Sequence, residues 1–487
     1  MQNVPAPFSL LLFGASGHLA QIKLYPALYF LALKKRLPLD YAVVGYARSD
    51  MNDDSFRAFI AAAVRAHVPE VNDGVLEAFL THMHYRRGEY GNAGDFSALA
   101  ADLDRLERAW SGNKVRLAYY SVPPSAYGDI SLNLCKGGVH TPGISFHCIV
   151  EKPVGHDLPS FERIRENLLG CFREEEITLL DHYLGKEAVR NIYYLRFANP
   201  VLETLLGNAL VHHVEITAFE SAGLEGRTGY FEQTGTLRDM VQSHLLEIAS
   251  LLTMDLVERA DSIPRSRFEA LKQFYLPPAA DLHDVVLQGQ YGAGEVNGET
   301  VPAYTAEQGV PPDARTNTFA ALKLLTRAKK WQGVPLYLRS GKRLERKETR
   351  ITFTFREATH GGDGLSSSET ANCLSIILQG EAGMRLHLQT KLGGTEPAFR
   401  PLILEDPLVC VGDCLPEHSL LLLEAIRGSR QWFLTFGEVQ AAWRLIDPVE
   451  AFLDRPDTPL HPYAAGTRGP AEADAWIARD GVQWNNG

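Results

Sequence analysis

"GASGHLAQIKLYP", residues 14–26, follows the apolar run "FSLLLF" and leads into a helix-like segment. Glycines at 14 and 17 turn a strand tightly into a helix, a common device for holding a phosphate. Gly14, Gly17 and Ala20 have the three-residue spacing of a Rossmann-type turn. Small residues there let the backbone approach a pyrophosphate, while the helix N-terminus supplies amide donors and the positive end of its dipole. Glycine turns between strand and helix also occur without a nucleotide, so the turn needs support from elsewhere. His18, directly after the second glycine, is unusual where a backbone approaches an anion.

The next strand-like stretch supplies some of that support. It ends "VVGYARS", where a NAD-preferring site places an acidic residue on the ribose hydroxyls. Arg48 stands there instead, suited to a bidentate hold on the 2′-phosphate of NADP. The plainer alternative is a solvated arginine at a strand end. Over the first 180 residues, "SLLLFGAS", "YAVVGYA", "VRLAYYSV" and "ISFHCIVEKP" read as apolar strands between longer helical segments. That alternation predicts a parallel sheet with helices on both faces. From about residue 190, "LVHHVEITAFE", "TRITFTFRE", "NCLSIILQG" and "MRLHLQTKL" alternate without regular helical crossovers. The fold class is therefore an α/β Rossmann-type dinucleotide domain over 1–180, followed over 181–487 by a larger α+β domain with a mainly antiparallel sheet backed by helices. The polar, glycine-rich segment 360–370 reads as a mobile surface loop.

Composition narrows the function. A chain of 487 residues with 45% hydrophobic and 22% charged residues is an ordinary soluble protein of two or more domains. A net charge of −11 argues against nonspecific nucleic-acid binding, which needs a basic face, but leaves room for a local cationic cleft around a small anion. No run is long enough to cross a membrane, and the N-terminus lacks the basic region of a signal peptide. The six cysteines, at 135, 148, 171, 373, 410 and 414, read as reduced thiols, with Cys410 and Cys414 as packing residues rather than metal ligands. The expected compartment is the cytoplasm.

Three stretches carry chemistry. "LLDHYLGKEAVRNI" packs Asp181, His182, Tyr183 and Lys186 within six residues. On a helix, His182 and Lys186 share a face, so the stretch can meet a phosphate ester with two cations and a phenol. Its plainer reading is a helix start with Asp181 as N-cap, without the Glu or Gln that would complete a capping box. "GTLRDMVQSHLLEIASLLTM" is strongly helical, and His244 lies at the edge of its apolar stripe. A histidine there is either a satisfied core residue or a base awaiting a carboxylate, for which Asp181 is a candidate. Asp239 precedes His244 by five residues, some 140° around an α-helix, which suits substrate binding better than pairing with that imidazole. In "LRSGKRLERKETR", Lys342 follows a Ser-Gly turn and Lys347 is close behind; a charge run of this kind is commonly a solvated face.

In combination these pieces resemble the glucose-6-phosphate 1-dehydrogenase family, over residues 8 to 475. The likeness rests on "GASGHLA", "GYARS", "SVPPSAY", "EKPVGHDL", "DHYLGKE", "LRFAN", "EGRTGYFEQTGTLRDMVQSHLLE", "NTFAALKL", "RSGKRL", "AAWRLIDP" and "GTRGPAEAD". "DHYLGKE" with "RDMVQSHLL" is highly specific in order and spacing; segments 255–285 and 357–372 carry little of the likeness. The resemblance implies NADP-dependent oxidation of glucose 6-phosphate, with His244 as general base and Asp181 as its carboxylate partner. It implies that His182, Tyr183 and Lys186 clamp the sugar phosphate with help from Lys342 and Lys347, and that Glu220 and Asp239 bind glucose hydroxyls. Lys152, before a proline that the family often holds cis, falls at the junction of coenzyme and sugar. Gly14, Ala15, Ser16, Gly17, His18, Leu19, Ala20, Gln21, Arg48 and Tyr127 fall on coenzyme positions. No metal is implied, and a homodimer or homotetramer is. The chain departs from the family where His18 replaces an aspartate, Gln21 a lysine or arginine, and Ser243 an asparagine. Two rivals stay open: an oxidoreductase of unphosphorylated sugar, and a catalytically silent regulatory relative. The first explains neither the phosphate cluster nor the long C-terminal domain, and the second would have lost His244 or Asp181.

Overall fold

Phe8–Phe13, the run before the glycine turn, is strand β1, and all of it is buried, as is all of β2 (Tyr41–Ala47). Strands covered on both faces have no polar side to alternate with, so they read as continuous apolar runs. Four more follow: β3 (Met83–Arg87), β4 (Val115–Tyr120), β5 (Ser145–Glu151) and β6 (Ile177–Leu180). The computed structural model describes residues 5–278, 282–357, 371–395 and 399–486, so the expected loop at 360–370 lies outside the described residues. Among the described residues the six strands form one sheet, ordered β3-β2-β1-β4-β5-β6, and every neighbouring pair is parallel. The order reverses between β1 and β4, which puts the glycine turn at the switch point where open parallel sheets take ligands.

Helices make the crossovers: α1 (Tyr25–Leu33), α2 (Asp53–His67), α3 (Asp73–Leu80), α4 (Ala93–Leu106), α5 (Tyr127–Lys136) and α6 (Leu158–Leu169). Local chemistry starts several of them. Asn52 caps α2 and Asp157 caps α6, each in a reciprocal pair with the serine three residues on. The chain divides into two compact units, the first comprising Met1–Lys186, Arg259–Pro264 and Gly412–Val439. The return at 412–439 brings a helix, Glu417–Ile426, whose Leu421, Leu422 and Ile426 join Leu24, Tyr25 and Leu28 in one core. Ser419 fastens it by donating to the Ala27 carbonyl at 3.0 Å. Chain texture carries no sign of this return.

The second unit comprises Glu187–Glu258, Arg265–Val411 and Gln440–Gly487. Its strands are β7 (Val211–Phe219), β8 (Phe274–Tyr275), β9 (Val286–Gly292), a small hairpin of β10 (Gly294–Val296) and β11 (Glu299–Val301), and β12 (Phe319–Thr326). They continue as β13 (Leu336–Gly341), β14 (Glu348–Phe355), β15 (Cys373–Gln379), β16 (Gly383–Lys391), β17 (Phe399–Pro407) and β18 (His461–Ala464). The large sheet runs β17-β16-β15-β14-β7-β13-β12-β9-β18, with β8 beside β12. It is mainly antiparallel, as expected, but β13 runs parallel to β7 and β18 parallel to β9.

The cysteines depart from expectation. Cys135 and Cys171 form a disulfide with Cα atoms 5.9 Å apart, and Cys410 and Cys414 are disulfide-bonded too; Cys148 and Cys373 are free and buried. Cys135 lies in the last turn of α5 and Cys171 follows α6, so the packing of two helices closes a separation of 36 residues that sequence spacing leaves open. No helix among the described residues is long and apolar enough to cross a membrane.

Gly14 sits at φ +80°, and a Cβ there would lie 2.1 Å from the Ser121 carbonyl oxygen. Gly14→Ala is expected to lower unfolding stability by about 1–3 kcal/mol through backbone strain alone, a loss readable as a lower urea midpoint.

Candidate active site

On the first unit, the candidate residues gather along the carboxyl edge of the parallel sheet. After β1, the Gly14 amide donates to the Tyr46 carbonyl at 3.0 Å and the Gly17 amide to Gly14 at 2.8 Å. Ala15 is buried, with its carbonyl accepting from Tyr25 at 2.5 Å, and Ser16 accepts from Ser49 at 2.8 Å. His18 is exposed. Gln21 turns its side-chain amide onto the Ser16 and Gly17 carbonyls, both at 3.5 Å, and so braces the turn from within. Ala20–Leu24 is wound as a π-helix before α1 begins, with Leu19 as its N-cap. Arg48 is exposed directly beyond β2.

Tyr127, buried at the start of α5, donates to the Glu151 carbonyl at 3.3 Å. Glu151 ends β5, opposite Leu180 at the end of β6. Lys152 therefore follows one strand and Asp181 the next, and the Lys152–Pro153 peptide is cis, in keeping with the family habit. Burial, with a lesser push from the charge of Asp181, raises the Glu151 carboxyl against the hydrogen bond from Tyr119 and the charge of His418.

Asp181 is fully buried and caps the next turn by accepting from the Tyr183 amide at 2.8 Å. The turn His182–Gly185 is a 3-10 helix rather than the start of an α-helix. The difference matters, because at three residues per turn it is positions three apart that eclipse, not four. Accordingly Lys186 lies over Tyr183, its ammonium 3.7 Å from the ring centroid, rather than sharing an α-helical face with His182.

Sequence reasoning missed the helix that covers this turn. A Cβ on Gly185 would lie 2.7 Å from Leu421, so only glycine allows that approach. Glu417 and His418 open the helix, with His418 Nδ1 3.4 Å from the Glu417 carboxylate. Burial raises the Glu417 carboxyl, but the His418 hydrogen bond and the charges of His182, His418 and Lys186 outweigh it and hold it at about 2. A carboxylate over 230 residues downstream thus compensates the cations of "DHYLGKE"; its only local signal was a Pro-Glu helix start.

On the second unit, β7 and β13 end side by side. Gly341 pairs with Phe219, so Glu220 and Lys342 are the next residues of each strand, and their side chains meet at 2.6 Å. The Lys342 backbone is held from both sides, its amide by Thr318 at 2.8 Å and its carbonyl by Tyr463 at 2.7 Å. Lys342 is buried and lies 5.1 Å from the Phe231 centroid. Lys347 is exposed and precedes β14, whose first residue Glu348 pairs with Phe219, so register brings it to the same sheet end.

Asp239 accepts from Tyr230 at 3.0 Å. Asp239 and the buried His244 stand on Leu237–Leu245, which is π-helical before it becomes the α-helix Leu246–Thr253. The 140° offset expected between them holds only for an α-helix. A π-helix bonds residues five apart, so positions 239 and 244 lie about one turn apart along one face.

A parallel sheet with its candidate groups ranged along the carboxyl edge, joined in one chain to a mixed-sheet unit, is an architecture shared with dinucleotide-dependent oxidoreductases. The model "Glucose-6-phosphate dehydrogenase, NAD binding domain" matches residues 11–191, and "Glucose-6-phosphate dehydrogenase, C-terminal domain" matches 193–485. The chain belongs to the glucose-6-phosphate dehydrogenase family, and the first unit carries its NAD-binding domain. Among relatives, glucose-6-phosphate 1-dehydrogenase of Chlamydia pneumoniae is 35% identical over 98% of this chain and 96% of its own length. That of Bacillus subtilis (strain 168) is 32% identical over 98% of each. A solved glucose-6-phosphate dehydrogenase in complex with its substrate glucose-6-phosphate superposes over 100% of both chains, with a TM-score of 0.90 and 28% identity.

The depressed Glu417 sets a pH signature. Its folded value lies below the unfolded value of about 4.3, so its contribution is complete above that pH and is lost as the pH falls towards 2. Glu417→Gln should therefore melt below the parent near neutral pH, and the gap in Tm should close in acid.

Proposed function

We propose that this chain oxidises glucose 6-phosphate at the anomeric carbon to 6-phosphoglucono-1,5-lactone, with hydride passing to NADP. The observation that carries the reading is the turn after β6, where Asp181 caps a segment presenting an imidazole, a phenol and an ammonium beside the nucleotide sheet's edge. His182, Tyr183 and Lys186 clamp the 6-phosphate, with Lys342 and Lys347 assisting. Lys152 bridges coenzyme and sugar. Glu220 and Asp239 take glucose hydroxyls, Glu220 being held in an ion pair with Lys342 at 2.6 Å. Phosphate held at one end of the sugar aligns the reacting carbon at the other, so free glucose forfeits rate as well as affinity.

The residues present fit NADP. The turn keeps its backbone bare at Gly14 and Gly17, and Arg48 stands exposed where an acidic side chain would repel a 2′-phosphate. Ala15, Ser16, His18, Leu19, Ala20, Gln21 and Tyr127 complete that half. His18 and Gln21 replace an acid and a base together, leaving the turn's charge balance as it was; the Gln21 amide still ties the turn through two carbonyls. When bound, NADP supplies the hydride acceptor.

An anomeric hydroxyl is a weak acid, so loss of hydride has to be coupled to loss of its proton. His244 takes that proton as a neutral imidazole, and Asp181 is the carboxylate that selects the competent tautomer and stabilises the imidazolium. The enzyme acts in the cytoplasm as a homodimer or homotetramer.

Formation of NADPH tests the reading. Turnover of glucose 6-phosphate with hardly any of glucose supports it, equal turnover of glucose favours the unphosphorylated-sugar rival, and no turnover favours a silent relative. His244→Asn should abolish turnover and keep sugar-phosphate binding; full activity in that variant would sink the mechanism. Arg48→Ala removes a charge-assisted contact worth about 1.5–3 kcal/mol, so the KM for NADP should rise roughly ten- to hundredfold with that for NAD unmoved.

A further inference from the structure

The disulfide between Cys135 and Cys171 has a histidine beside it. His140, five residues after Cys135, folds back over the end of α5, where its amide donates to the Leu134 carbonyl at 3.0 Å. Its Nδ1 lies 3.7 Å from the Cys135 Sγ, and one ligand atom from each of Cys135, His140 and Cys171 falls within 4.8 Å of the others. On the far side of the ring, Nε2 meets the Glu176 carboxylate at 3.4 Å. Glu176 is buried and held by Arg173, whose amide reaches Oε2 at 2.8 Å and whose guanidinium reaches Oε1 at 2.9 Å. Phe146 and Phe172, themselves stacked, meet the imidazole edge-on with centroids 5.0 and 5.5 Å away.

We propose that Cys135, His140 and Cys171 form a zinc site that is open only when the disulfide is reduced. Zinc binds sulfur at about 2.3 Å and imidazole nitrogen at about 2.0–2.1 Å in a tetrahedron, which sets sulfur and nitrogen about 3.5 Å apart and the two sulfurs about 3.8 Å apart. The observed separation of 3.7 Å between Cys135 Sγ and His140 Nδ1 already suits such a pair. The two sulfurs have to part, and Cys171 Sγ, within 4.8 Å of a His140 ring nitrogen, has to settle at the zinc distance. Rotation about each Cα–Cβ bond allows these movements once the disulfide is reduced. Glu176 occupies the place that a carboxylate takes behind a metal-binding imidazole, fixing the tautomer that leaves Nδ1 its lone pair. The stacked phenylalanines wall the site, and water fills the fourth position.

The chemistry balances with a dithiol as reductant. The sulfur–sulfur bond accepts two electrons and two protons to give two thiols, and the dithiol becomes its own disulfide. Zinc then displaces both protons as the thiolates bind. Disulfide and metal are therefore mutually exclusive states of one site, each tying the end of α5 to the segment after α6. In a reducing compartment a disulfide does not persist, so the dithiol able to take zinc is the form present there.

The test uses the full chain carrying Cys410→Ser and Cys414→Ser, prepared with and without a phosphine reductant and titrated with cobalt(II) and then zinc. The reduced protein should take one cobalt per chain with a thiolate charge-transfer band that zinc abolishes, and the oxidised protein should take none. Cys171→Ser should lose the band. Glu176→Gln, which keeps every ligand and so remains informative if a cysteine variant fails to fold, should weaken zinc binding about 10–100-fold. No thiolate band after reduction, a band that survives Cys171→Ser, unchanged affinity in Glu176→Gln, or a disulfide that resists the reductant would each overturn the proposal.

Discussion

Three strand ends of the first unit meet at Gly14. Its amide is bonded to the end of β2, its carbonyl accepts from Gly17, and its α-carbon stands so close to Ser121, just past β4, that a methyl group has no place there. The chain leaves β1 through a left-handed conformation at φ +80°, which glycine holds without strain. Everything placed along that edge depends on this approach, because the parallel register propagates from β1 through β4 and β5 to β6. The register in turn sets Lys152 and Asp181 at neighbouring strand ends.

Charge is managed along the same edge. Lys186 rests on the Tyr183 ring, which gives an ammonium an attractive surface without neutralising it. Glu417 supplies the compensating negative charge from another stretch of chain, held low against its burial by the His418 hydrogen bond and the surrounding cations. Glu151 is the reverse case: burial, with a lesser push from Asp181, drives its carboxyl up. Two carboxyl groups in one unit are thus driven in opposite directions, Glu151 upward chiefly by burial and Glu417 downward by its histidine hydrogen bond and nearby cations.

Both π-helical stretches among the described residues lie at positions the sequence marks as chemical: Ala20–Leu24 follows the glycine turn, and Leu237–Leu245 carries Asp239 and His244. One extra residue per bonded turn re-aims side chains that an α-helix would disperse. Sequence periodicity cannot register this, since the apolar stripe of "LRDMVQSHLLEIASLL" satisfies an α-helix equally well. Tertiary packing supplies the difference. On the second unit, strand pairing does similar work: Glu220 and Lys342 are 122 residues apart, and the parallel pairing of β7 with β13 sets them side by side.

Local pattern was enough for the parallel sheet, the glycine turn, the Asp181 cap and the mainly antiparallel second sheet, because each rests on residues close together in the chain. An apolar run between helices, glycines at 14 and 17, and an aspartate before a short turn act through neighbours whose identity the sequence states. What local pattern could not decide involves partners brought from a distance: the return of Glu417–Ile426 onto the first unit, the ionised Glu417, the pairing of Cys135 with Cys171, and the 3-10 and π windings in place of α-helix. These follow from which surfaces pack, and packing is set by the whole core rather than by any one segment.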